Sequence, residues 1–124
     1  MAIIVQSKER YIGNATPTDL NVETTVVEIT AQSDDYMVEG YISLGNLASG
    51  DTVILREYIA VDGVNYDLFI PPMQYNGPVD APVIRFNMKL LTYNMKYKVT
   101  ITQTSGTIRS FPYAFTKEVQ GSVS

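Results

Sequence analysis

The chain has 124 residues, no cysteine and no histidine, and 13 acidic against 9 basic side chains, for a net charge of -4. That length fills one ordinary domain with a single core, and the missing residue types exclude disulfides, thiolate nucleophiles, imidazole bases, Ser-His-Asp triads and Cys/His zinc sites. An acidic balance without a run of like charge offers nothing to nucleic-acid phosphates, and no apolar stretch approaches the roughly 18 residues of a membrane helix.

Residues 1–20 hold the short apolar run Ile3-Ile4-Val5 and then loop-like sequence through Gly13-Asn14 and Pro17, which reads as an N-terminal arm or an edge strand. From Asn21 to Ala31 the alternation sets Val27, Ile29 and Ala31 on one side and Val26, Glu28 and Thr30 on the other. Ser33-Asp34-Asp35 then turns the chain. Met37 to Leu44 returns with Val38, Gly40, Ile42 and Leu44 on one face and Met37, Glu39 and Tyr41 on the opposite one. Gly45 to Asp51 is a connection.

Thr52 to Val61, Asp62-Gly63 and Val64 to Ile70 read as a β-hairpin closed by a two-residue type I′ turn, because Asp-Gly supplies the two positive-φ positions which that turn needs. A two-residue loop pairs Val61 with Val64, Ile59 with Tyr66, Glu57 with Leu68 and Leu55 with Ile70 on the core face. Arg56, Tyr58 and Phe69 take the other face. Pro71-Pro72 ends the strand, since proline cannot donate to a ladder, and a long loop runs from Gln74 to Pro82. Val83 to Leu91 alternates again, with Ile84, Phe86, Met88 and Leu90 inward and Arg85, Asn87 and Lys89 outward. Thr92 to Met95 is a turn.

Tyr97, Val99 and Ile101 alternate with Lys96, Lys98, Thr100 and Thr102, and Ser105-Gly106 reverses the chain into Thr107 to Phe115. A three-residue loop with Gly106 left-handed sets Val99 opposite Phe111 and Tyr97 opposite Tyr113. Residues 117–124 are small and polar and read as a flexible C-terminal tail. About eight short strands with turn signals between them, and no helical period, argue for one all-β domain over residues 21–116. It is an antiparallel β-sandwich, jelly-roll or immunoglobulin-like, or a small barrel.

Carboxylates are the remaining candidates for acid–base work. Glu57, on the apolar hairpin face, would have a raised pKa if buried alone. No second carboxylate stands opposite it, so a rim Glu paired with a Lys or Arg is the expected state. Asp34, Asp35, Asp51, Asp62 and Asp80 sit in loops where carboxylates can gather around calcium, but none has EF-hand spacing and turn formation explains each. We therefore expect no catalytic residue, no metal and no cofactor.

Nine tyrosines and a charged share of 18 %, against roughly 25 % in typical domains, describe a surface that suits contact with neighbours. Met37, Tyr41, Ile54, Arg56, Tyr58 and Phe69 are the candidate interface. Sharing one sheet face, they would make either a second buried layer or an exposed patch for another chain to bury, and only the patch implies a partner. An alternative is a glycan- or host-surface-binding module, with Tyr75 and Tyr93 as its platform.

Two stretches, Leu47-Ala-Ser-Gly-Asp-Thr-Val-Ile-Leu-Arg-Glu-Tyr-Ile-Ala-Val-Asp-Gly-Val-Asn-Tyr66 and Tyr97-Lys-Val-Thr-Ile-Thr-Gln-Thr-Ser-Gly-Thr-Ile-Arg-Ser-Phe111, resemble small β-rich structural proteins of tailed viruses and proviruses, particularly archaeal ones. The resemblance covers roughly residues 22–115 and brings no catalytic motif. It implies a non-enzymatic virion component, of capsid decoration, head or tail type. Such a protein would work as a homo-oligomer, with a trimer as the expected form and a major capsid or tail protein as a further partner. Nucleic acid and membrane are not expected partners. Met1 to Val5 lacks the basic flank and length of a signal peptide, so synthesis in the host cytoplasm and arrival in the virion by assembly are expected.

Overall fold

A computed structural model describes residues 2–123, with side chains from residue 7 to residue 121. Nine strands form it: β1 (Ala2–Ala15), β2 (Thr24–Ile29), β3 (Tyr36–Ser43), β4 (Thr52–Ala60), β5 (Asp67–Leu68), β6 (Met73–Asn76), β7 (Val83–Leu91), β8 (Lys96–Ser105) and β9 (Phe111–Val123). They build two antiparallel sheets, one ordered β1-β9-β3-β7 and the other β2-β8-β4-β5, with β6 also paired to β4. The chain is an all-β, single-domain antiparallel sandwich.

The core lies between the sheets and follows the period-2 alternation of each strand. Val38, Ile42, Phe86, Phe111, Phe115 and Val119 come from the first sheet and meet Val27, Ile29, Val53, Leu55, Tyr97, Val99 and Ile101 from the second. Gly40 belongs to this layer for a steric reason. A Cβ there would stand 2.0 Å from Cδ2 of Phe115, so the ring lies where any side chain would be.

The connections differ from those expected. Strands that follow each other in sequence mostly cross from one sheet to the other, and only β4, β5 and β6 stay together. The turn at Ser33-Asp34-Asp35 therefore joins sheets instead of closing a hairpin. The same holds at Gly106, which has the expected positive φ of 87°. The β8–β9 connection carries the chain across the sandwich, so Val99 and Phe111 meet through the core and not as ladder partners.

The β4–β5 hairpin is present but shifted by one residue, with Tyr58 opposite Leu68 and Ile59 opposite Asp67. Only Gly63, at φ 79°, takes the left-handed region there, so the turn is not type I′. Oδ1 of Asp62 instead accepts the N–H groups of both Val64 and Asn65 at 2.8 Å and props open a wider loop. The shift places Val61 and Val64 outside the core. Tyr66, expected inside, reaches the outer face of the second sheet, where its hydroxyl donates to Glu28.

The terminal segments are also strands. β1 is the edge of the first sheet and pairs with β9 along nearly its whole length, so residues 2–15 are the edge strand, the second of the two readings of this segment, and not an arm. Residues 117–123 continue β9, with Lys117 and Val119 buried, in place of the expected tail. Met1 and Ser124 lie outside the described residues.

Candidate functional site

The strand β7 departs most from simple alternation, and the departure builds the most distinctive site. Val38 is opposite Lys89 whereas Gly40 is opposite Phe86, so β7 spends one extra residue around Asn87 and Met88. Such a bulge reverses the parity of everything beyond it. Ile84 and Phe86 face inward as expected, but Met88 and Leu90 turn to solvent, and Lys89 and Leu91 turn in.

Lys89 arrives opposite Glu57 of β4. Its ammonium lies 2.9 Å from Oε2 of Glu57, with side-chain exposures of 11 % and 3 %. The same ammonium donates to the Asn87 carbonyl, and it lies 5.2 Å from the Tyr97 ring centroid and 5.7 Å from that of Phe69. The Tyr97 hydroxyl donates to the same carboxylate oxygen. Burial, and then the Glu57 charge, push the Tyr97 phenol well above its ordinary range, which keeps it a donor. Glu57 is therefore a paired interior anion with two donors, as a carboxylate on an apolar face must be.

Beside this cluster β5 is only two residues long and Pro71-Pro72 lies shortly after it, so little ladder covers the β4 edge there. A groove of ≈ 300 Å³ opens there, lined by Ile59, Leu68, Phe69, Leu90, Leu91 and Met95 among others. Leu90 is 64 % exposed and Phe69 52 %. Val61 and Leu68, also exposed, line the same groove, whereas Met88 opens beside Met37, Lys8 and Arg10, and Ile12, Val22 and Val83 are exposed elsewhere.

The six expected interface residues do not share a face. Met37 and Tyr41 point outward from β3 in the first sheet, while Ile54, Arg56 and Tyr58 point outward from β4 in the second. The two sheets turn their outer faces in opposite directions, so these groups lie on opposite sides of the sandwich. Phe69 belongs to neither and rims the groove.

The outer face of the second sheet is internally satisfied. Tyr58 donates to Glu23 at 2.6 Å, Arg56 to Thr102 at 3.2 Å, and the Lys98 ammonium sits 5.1 and 4.4 Å from the Tyr58 and Tyr66 ring centroids. On the first sheet Tyr41 lies near Val83, Pro112 and Ala114 in a shallow apolar depression.

Tyr75 and Tyr93 do not form one platform. Tyr75 is opposite Val53 at the start of β4, and the Tyr93-Asn94 turn bonds to the Val61 carbonyl just past its end. Those positions are about 25 Å apart at roughly 3.3 Å per strand residue.

The loop aspartates act within the fold. Asp51 accepts from the Ala48 and Thr107 N–H groups and from Nε of Arg109 at 2.8 Å. Those donors, the Ala48 N–H first, hold its pKa below the ordinary value. Asp35 accepts the Tyr93 N–H.

A second interior lysine escaped the sequence reading. Lys117 of β9 donates to Glu9 at 3.0 Å and to Gln32 at 2.8 Å. Its signal was the series Phe111, Tyr113, Phe115, Lys117, Val119, whose parity carries on through the lysine. Comparison with protein-family models, curated proteins and solved structures returned no match for this chain.

Proposed function

We propose that the protein is a non-enzymatic structural subunit, of the virion type its sequence resembles, that works by associating with further copies of itself through the β7 side of the sandwich. The observation that carries this is the separation of chemistry on the molecule. The charged side chains drawn inside, Glu57, Lys89, Asp51 and Lys117, are engaged by internal partners, while four large apolar side chains, Val61, Leu68, Phe69 and Leu90, stand in solvent around one groove. An exposed apolar concentration of that kind marks a contact surface.

The connectivity adds support by analogy. If β5 and β6 are counted as two pieces of one broken strand, the orders β1-β9-β3-β7 and β2-β8-β4-β5, with every connection except β4–β5 crossing between sheets, resemble a jelly roll, an architecture that capsid subunits and lectins share. A sugar-binding reading has no corresponding support, since its two tyrosines are at opposite ends.

The test is a pair of single substitutions followed by solution mass. Leu90→Asp places a charge on the rim of the groove and is expected to release monomers, whereas Tyr41→Asp, four residues along β3 from the Met37 partner of Leu90 and beside Val83, leaves the oligomer intact. The reverse pattern would move the contact to the Tyr41 depression, and an oligomer untouched by either would remove both surfaces.

A further inference from the structure

We propose that the Glu57–Lys89 pair and the β7 bulge guard the β7 edge against strand addition, so that association on the reading above stays closed instead of running on as a fibre. β7 is the edge most in need of a guard. It is nine residues long and is paired only with β3, and its sequence Val-Ile-Arg-Phe-Asn-Met-Lys-Leu-Leu is largely apolar and strand-prone. Such a segment with one open backbone edge is a template for another chain. The other edges are blunted differently. β5 and β6 have two and four residues, β2 is interrupted by an irregularity between Thr25 and Val27, and β1 shifts register between Val5 and Ser7 and carries Lys8, Glu9 and Arg10 at its middle.

On β7 the extra residue between Phe86 and Lys89 breaks the spacing of hydrogen-bonding groups, so no uniform register runs the length of the strand. Lys89 adds an inward-pointing charge. A strand continuing the sheet would bring an apolar inner-face side chain against that ammonium, whose donors are already directed at Glu57 and the Asn87 carbonyl. Stability alone does not account for the pair. Replacing a buried ion pair by apolar groups of similar size is often neutral or stabilising, whereas removing one member is costly.

The experiment removes both charges together. Glu57→Leu/Lys89→Met and the near-isosteric Glu57→Gln/Lys89→Gln are compared with wild type by thermal melting, light scattering across concentration and thioflavin T binding. At least one double variant is expected to melt at or above the wild-type temperature while its mean mass grows at least tenfold beyond wild type with thioflavin-positive polymer. Adding Asn87→Lys, a new charge on the same edge, is expected to reverse that growth.

A wild-type mass profile in both double variants would overturn the proposal. So would growth abolished by Leu90→Asp but not by Asn87→Lys, which would assign the polymer to the apolar patch. Because the readout is the difference from wild type, a monomeric wild type would defeat the association reading and leave this test standing.

Discussion

Asp51 is buried at one end of the sandwich because three donors converge on it, from the Ala48 and Thr107 backbone and the Arg109 side chain. Asp51→Ala leaves those donors without their acceptor and is expected to cost about 2–3 kcal/mol, read by urea denaturation at neutral pH. The pH dependence has a definite sign. A carboxylate whose folded pKa lies below its ordinary value of 3.8 gives its full contribution above that value and loses it as pH falls through the folded one. Wild type is therefore expected to lose stability below about pH 4 with a slope that Asp51→Asn reduces.

Tyr97 runs the other way. Its phenol is raised by burial and by Glu57, so its contribution is complete below the ordinary 10.0 and is lost as pH rises beyond it. Alkaline titration at the phenolate absorbance is expected to show Tyr97 ionising only as the protein unfolds. Gly40→Ala forces a methyl into the Phe115 ring and is expected to cost about 1–3 kcal/mol. Equal stability in wild type and variant would mean that the ring has room to move.

Among elements, the sheet layout predicts a gradient of local stability. β8 is paired on both sides, to β2 and β4, whereas β5 holds to β4 through two residues at an edge. Amides of Asp67 and Leu68 are expected to exchange with solvent at least a hundredfold faster than those of Val99 to Ile101, because local opening of a short edge piece exposes little apolar surface. Equal protection would contradict the β5 assignment.

Legibility in the sequence also divided by element. β3 and β4 were readable because strict alternation survives along them, and Val38, Ile42, Leu55, Glu57 and Ile59 all face inward as parity requires. β7 was readable only as far as Phe86. The adjacent Leu90 and Leu91 meant that one of them had to leave the core, but nothing local showed that the bulge would choose Leu91 and bring Lys89 with it. The Asp62 side chain defeated the Asp-Gly turn rule by accepting two N–H groups of a wider loop. Of the candidate site, Glu57 and Phe69 stood out in the sequence, but Glu57 was expected at the rim and is interior, and Lys89 and Leu90 were expected on the opposite faces, because which strands share a sheet is set by long-range packing that a turn signal does not carry.

For the whole molecule, apolar surface is unevenly distributed. One outer face is covered by a network of Glu23, Glu28, Arg56, Tyr58, Tyr66 and Lys98 that satisfies itself, and the ends are tied by Asp51 and by the Lys117–Glu9 pair. The groove between β5 and β7 is left apolar, and the sheet edges are short, bulged or charged. That combination favours contact through side chains over contact through backbone ladders, and closed assemblies over open ones. The most direct test is the solution mass of the wild-type chain by light scattering over a wide range of concentration and salt. A single closed species, expected as a trimer, that persists on dilution and in high salt is the result this account predicts, because apolar contacts are not screened. A mass of 13.8 kDa at every concentration would contradict it.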